Sequence, residues 1–320
     1  MSMSMSCQAM TKKGTQCSRN STHGQYCAQH AKTQQEHVHL TENEMYDFHD
    51  LDINIDVSQI KDLWRDQNML IGRGEDQPAV ILHNGTKIWM DAGQFHRDGD
   101  QPAIIDVNGT QRWYQHGQLH RDGDQPAVID GDGKKLWYQH GHLHRDGDQP
   151  AIIDPDGEQS WFQHGQEHRD GDQPAMIDTH GNQRWSQHGQ LHRDGDRPAL
   201  IWSDGRQDWY QHGKLHRDGD QPTIIYGDGT KEWYQSFPDF LTPVIHRDGD
   251  QPAIIHVDGT QEWYWKGLQH RGGDRPAFVS SDVQKWYLHG KLHRFEGRPA
   301  VVYVSGKQEW WEYGKHLKHK

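Results

Sequence analysis

Apolar positions in this chain come in short pairs. Ile104-Ile105, Val128-Ile129, Ile152-Ile153 and Met176-Ile177 each follow a Pro-Ala and precede a polar turn and then a Trp. The interval is regular. Trp89, Trp113, Trp137, Trp161, Trp185, Trp209, Trp233, Trp263, Trp286 and Trp310 are mostly 24 residues apart, with one interval of 30. Between them returns one phrase, His120-Arg-Asp-Gly-Asp-Gln-Pro-Ala127, copied from His96, His144, His168, His192, His216 and His246 and decayed at His270 and His293. A fixed period of this size marks a repeat array.

One unit shows what the pattern predicts. Trp137-Tyr138-Gln139 alternates as a strand, and His140-Gly141 is a turn pair. Asp146-Gly147 bends the chain again. Pro150-Ala151-Ile152-Ile153 is a second strand, with Pro at its start, where no ladder donor is lost. Asp156-Gly157 then closes a hairpin. Each repeat is therefore expected to be a β-hairpin joined to the next without a crossover. The Trp and the second residue of each apolar pair should build the buried stripe. A lone hairpin buries too little to be stable, so stacking must supply the core. The expected fold is all-β: an elongated, single-layer antiparallel array of about ten hairpin units over residues 71–320.

Residues 31–56 read as an acidic linker, with a helical turn around Glu42–Phe48. From Asp56 to Gln67, a capping Asp and the spacing of Ile60, Leu63 and Trp64 predict a short amphipathic helix. Such a helix would cover the first edge of the array, within a segment taken as residues 33–70. Residues 71–78 are a degraded copy of the phrase.

Composition narrows the function. Only 32% of the 320 residues are apolar, yet 14 Trp and 11 Tyr argue against disorder. The net charge of −12 disfavours nucleic acid as the partner. No apolar run reaches the roughly 18 residues of a membrane span. Met1–Ser6 lacks the apolar core of a secretion signal, so an intracellular setting is expected. All three cysteines lie in residues 1–32, as Cys7, Cys17 and Cys27, with His30 behind them. Three thiolates and an imidazole are the donor set of a closed structural Zn²⁺ site, and His23 is a second candidate for the fourth ligand.

The array shows no catalytic constellation. His-Arg-Asp occurs in the kinase catalytic loop, but no phosphate loop or Asp-Phe-Gly accompanies it here. Equivalent histidines of successive hairpins would lie about 9.6 Å apart, too far to share an ion. The Asp-Gly-Asp runs lack the further ligands of a calcium loop. The chain is expected not to be an enzyme. Its one irregularity follows Tyr234, where Gln235–Ile245 runs six residues longer than its counterparts and carries Phe237, Phe240, Leu241 and Val244. Insertions in repeat arrays often map to a binding face, so these four are the candidate docking residues. The 26 His residues, ten on the ladder and six in turns, raise the question of a pH response.

The spacing Trp113, Gly117, His120, Gly123, Asp132 and Gly133 resembles a diverged MORN repeat, over about residues 78–316. It departs from that pattern in its period and at Arg121, Asp122 and Pro126. The His-Arg-x-x-Gly-x-Pro-Ala variant is similar to repeats of giant DNA viruses and phages. The Thr11-Lys12-Lys13-Gly14 lead with its Cys/Cys/Cys/His set resembles a short metal-binding element of large DNA viruses and some microbes. The resemblance implies a scaffold for protein–protein interaction in an infected cell. Its alternatives are a virion- or capsid-associated assembly protein that self-associates, and a membrane-surface tether. The acidic balance disfavours the lipid role.

Overall fold

A computed structural model describes residues 36–38, 57–65, 72 and 76–317. The chain divides into two compact units, one of residues 1–146 with 151–155, the other of residues 147–150 with 156–320. Both are built from antiparallel β-hairpins. None of the described helices is long and apolar enough to cross a membrane.

In the first unit the ladder runs in chain order through Ile60–Arg65, Val80–Leu82, Lys87–Ile88, Ile104–Ile105, Gln111–Arg112, Val128–Ile129, Lys135–Leu136 and Ile152–Ile153. The second unit continues the same rule from Gln159–Ser160 to Lys315–Leu317. Each repeat holds two hairpins, not one. The larger belongs to the ladder, for example Ile104–Ile105 with Gln111–Arg112, and turns at Gly109 with φ 88°. The smaller follows the Trp, as Tyr138–Gln139 with His142–Leu143. Its turn residues His140 and Gly141 both have positive φ, 49° and 80°. A two-residue turn with both φ positive matches the right-handed twist of its strands.

The Trp sits at the joint between the two hairpins rather than inside one strand. Its N–H donates to the buried alanine of the next ladder strand, as from Trp113 to Ala127 at 2.8 Å and from Trp161 to Ala175 at 2.7 Å. Indoles such as Trp113 and Trp185 are 5–7% exposed, and alanines such as Ala127 and Ala175 are 0% exposed. The buried stripe thus differs from the expected one. It is made mainly by Trp and Ala, joined in some repeats by the first residue of the apolar pair: Ile104 and Ile224 are buried, whereas Ile105 and Ile225 are half-buried, as are both Ile152 and Ile153.

The expected helix over Asp56–Gln67 is corrected. Val57–Gln59 is one 3₁₀ turn, and Ile60–Arg65 is a strand. It pairs with Val80–Leu82 on one side and Glu36–Val38 on the other. The reason lies in the repeat itself. Trp64 donates its N–H to Ala79 at 2.9 Å, the bond that Trp89, Trp113 and most other array Trp residues make to an alanine. Gly72 donates to the Trp64 carbonyl at 3.2 Å, where His96 does so to Trp89. Leu63, fully buried, joins a cluster with Val80, Ile88, Met90 and Phe95. Ladder pairing and burial override the local helical spacing. The edge is covered, but by a truncated repeat.

Candidate functional site

The repeated phrase ties neighbouring repeats together, residue by residue. Its arginine lies flat on the indole of its own repeat: Arg121 is 3.9 Å from the Trp113 ring centroid, and Arg193 is 3.7 Å from Trp185. The same guanidinium forks onto an aspartate one repeat back. Arg121 Nε and Nη2 donate to Asp100 at 2.7 and 3.0 Å, and Nη1 donates to the Pro126 carbonyl at 3.2 Å. Planar geometry suits all three tasks at once, which an ammonium cannot match. The Arg121 hydrogen bonds hold the Asp100 carboxyl below its ordinary value, against a smaller opposing effect of burial.

The ladder histidine does the corresponding work on the hairpin side. His120 Nε2 faces Asp122 Oδ1 at 3.1 Å, and Nδ1 accepts the N–H of His140 in the next repeat at 3.2 Å. With Nδ1 accepting, the neutral ring carries its hydrogen on Nε2 and donates to the carboxylate. The ring is also covered by the turn histidine of that next repeat, His140, at 4.6 Å. Gln115 completes the group by donating to Asp122 Oδ2 at 2.8 Å. Gln115, then His120, hold the Asp122 carboxyl below its ordinary value. The recurring His, Arg and Asp are thus used up in joining repeats.

The network is interrupted at the insertion. Tyr234–Gln235 still pairs with Val244–Ile245, so the small hairpin survives with residues 236–243 as its loop. The four residues singled out from the sequence are brought together but do not face one way. Phe237 and Val244 are turned inward, and Phe237 meets the buried His246 edge-on at 5.1 Å. Phe240, 42% exposed, and Leu241, fully exposed, point outward. Lys266 braces the loop, with Nζ 5.0 Å from the Phe237 ring and 3.7 Å from Asp239.

Two partners in this surface escaped the sequence reading. Trp265 and Leu268 face each other across the next hairpin, where the repeat of Tyr114–Leu119 has Gln115 and Gln118. Both are 48% exposed, and Trp265 also meets His246 edge-on, at 4.7 Å. The signal was available as a pair of apolar residues where most units carry glutamine. On the other side, a cleft of about 680 Å³ opens between His216 and His246.

Repeats on both sides of the insertion also depart from the phrase. Arg197, Arg275 and Arg298 replace the usual Gln, and each adds a second guanidinium to an already clamped aspartate, Asp172, Asp250 and Asp274 respectively. Gly272 and Phe295 stand where the ladder histidine has its carboxylate elsewhere. Burial, and then the neighbouring His289, hold the His270 imidazole below its ordinary value. His293 is 7% exposed with neither ring nitrogen hydrogen-bonded, stacked against Tyr313 at 4.2 Å.

Cys7, Cys17, Cys27, His23 and His30 lie outside the described residues. No known family matches the chain, and neither does any curated protein.

Proposed function

We propose that this chain is a non-enzymatic scaffold that docks a protein partner at its insertion. One observation carries this reading: Phe240, Leu241, Trp265 and Leu268 are exposed on the hairpin edge around residues 236–268. A cluster of exposed apolar side chains rimmed by charge is the usual mark of an interaction site. The MORN-like spacing supports a scaffold as well. So does the use of the repeated His, Arg and Asp in bonds between repeats.

Deleting residues 236–242 tests the reading. Full-length protein and the deletion are each immobilised and exposed to extract of the native host. Proteins retained by the full chain are expected to be lost from the deletion, at an unchanged melting temperature. Equal retention at equal stability would remove the insertion as the docking site.

A structural zinc held by Cys7, Cys17, Cys27 and His30 is a separate proposal, supported by the donor set alone. A closed four-ligand site of this kind orders a short segment and performs no chemistry. Purified protein is expected to carry one zinc per chain by elemental analysis, and Cys17→Ser to lose it. Full retention by the variant would take Cys17 out of the ligand set.

A further inference from the structure

His96, His120, His168 and His192 each have three partners: a carboxylate on Nε2, a backbone N–H on Nδ1 and an imidazole lying over the ring. At His192 these are Asp194 at 3.1 Å, the His212 N–H at 3.3 Å and the His212 ring at 4.5 Å. His96, His120 and His168 repeat the arrangement, with rings 4.6–4.7 Å apart. His216 keeps only the first, Asp218 at 3.1 Å. The residue in register with His212 is Ser236, the first of the insertion, and among the described residues no ring covers His216. Its side chain is 46% exposed, against 10% for His192. Among the described residues no backbone N–H reaches its Nδ1. Phe237 does not fill the place, because it packs on His246 instead. The result is the cleft already described, with His216, Asp218, Gln235, Ser236 and Asp248 among its walls.

We propose that this cleft is a binding site for an imidazole ring carried on a tight turn of a partner polypeptide. The chain supplies the template for its own ligand. In the preceding repeats a His-Gly turn brings one ring and one N–H to the ladder histidine, as His212 does to His192, and at His216 both places are open. A turn that entered would stack its ring on His216 and donate its N–H to Nδ1. Its own imidazole would come close to the side chain of Asp218, which is 83% exposed. An aliphatic side chain on the same turn would keep the backbone N–H but supply neither the stacked ring nor the approach to Asp218. A preformed slot also avoids much of the ordering cost of binding. The proposal rests on the insertion being a docking site and names what enters beside it.

The probe is a cyclic hairpin peptide with the sequence Tyr-Gln-His-Gly-Gln-Leu, that of residues 114–119, together with its His→Ala analogue. Binding to the full-length protein is followed by titration calorimetry and by the ring proton shifts of His216. The His peptide is expected to bind saturably and shift those protons. The analogue is expected to bind at least about tenfold more weakly, the loss of one stacked, hydrogen-bonding ring. A protein in which residues 236–243 are replaced by His-Gly should cover His216 from within and no longer bind, without a fall in melting temperature. Equal binding of the two peptides, absence of saturable binding, or undiminished binding by the closed variant would each overturn the proposal. A partner lost on deletion of residues 236–242 but kept by His216→Ala would leave the docking site and remove the imidazole.

Discussion

Arg121→Ala is expected to cost about 2–4 kcal/mol, and Asp100→Asn less than about 1, although the two side chains form one ion pair. The asymmetry follows from what each residue touches. Asp100 is 61% exposed, so water and salt screen its share of the pair. The Arg121 side chain is only 13% exposed. It covers the Trp113 indole at 3.9 Å and supplies a hydrogen bond to the Pro126 carbonyl. Its removal uncovers an aromatic ring whose burial, at roughly 25 cal/mol per Å², contributes on the order of 4–6 kcal/mol as an upper estimate. Arg121→Lys should fall between the two, since it keeps a charge near the ring but loses the fork. Urea unfolding followed by indole fluorescence measures all three. Equal losses for Arg121→Ala and Asp100→Asn would show that the ion pair, not the covered indole, holds the repeats together.

Much of this was legible in the sequence because the array repeats one physical solution. A Trp every 24 residues, with a Pro-Ala strand and two Gly turns between, leaves few arrangements other than stacked hairpins. What was less legible came from reading each unit alone. Alternation points to the second residue of each apolar pair as core, but the fully buried position beside the pair belongs to alanine. The spacing of Ile60, Leu63 and Trp64 on one helical face points to a helix there. The 25-residue distance from Trp64 to Trp89 is the better guide. The insertion was visible as extra length, and Phe240 and Leu241 do face outward. The uncovered His216 was not anticipated, because the missing feature is a ring from the following repeat. A register comparison would have exposed it: Ser236 stands 24 residues after His212.

Acid should unfold the array through its arginine-clamped carboxylates. Asp76, Asp100, Asp124, Asp148, Asp172, Asp196, Asp220, Asp250 and Asp274 are all held below the ordinary carboxyl value, in each case chiefly by hydrogen bonds from the clamping arginine. A carboxyl depressed in the folded chain favours folding once pH exceeds its value in the unfolded chain, about 3.9. That contribution fades as pH falls through the lower folded values. Each clamp is small by itself, but the same loss recurs at every repeat junction. The melting temperature is therefore expected to fall steeply below about pH 4. Scanning calorimetry at fixed ionic strength reads this directly. A melting temperature at pH 3 equal to that at pH 7 would mean that the clamps contribute nothing. A steep fall already complete by pH 5.5 would place the acid response outside the clamped carboxylates.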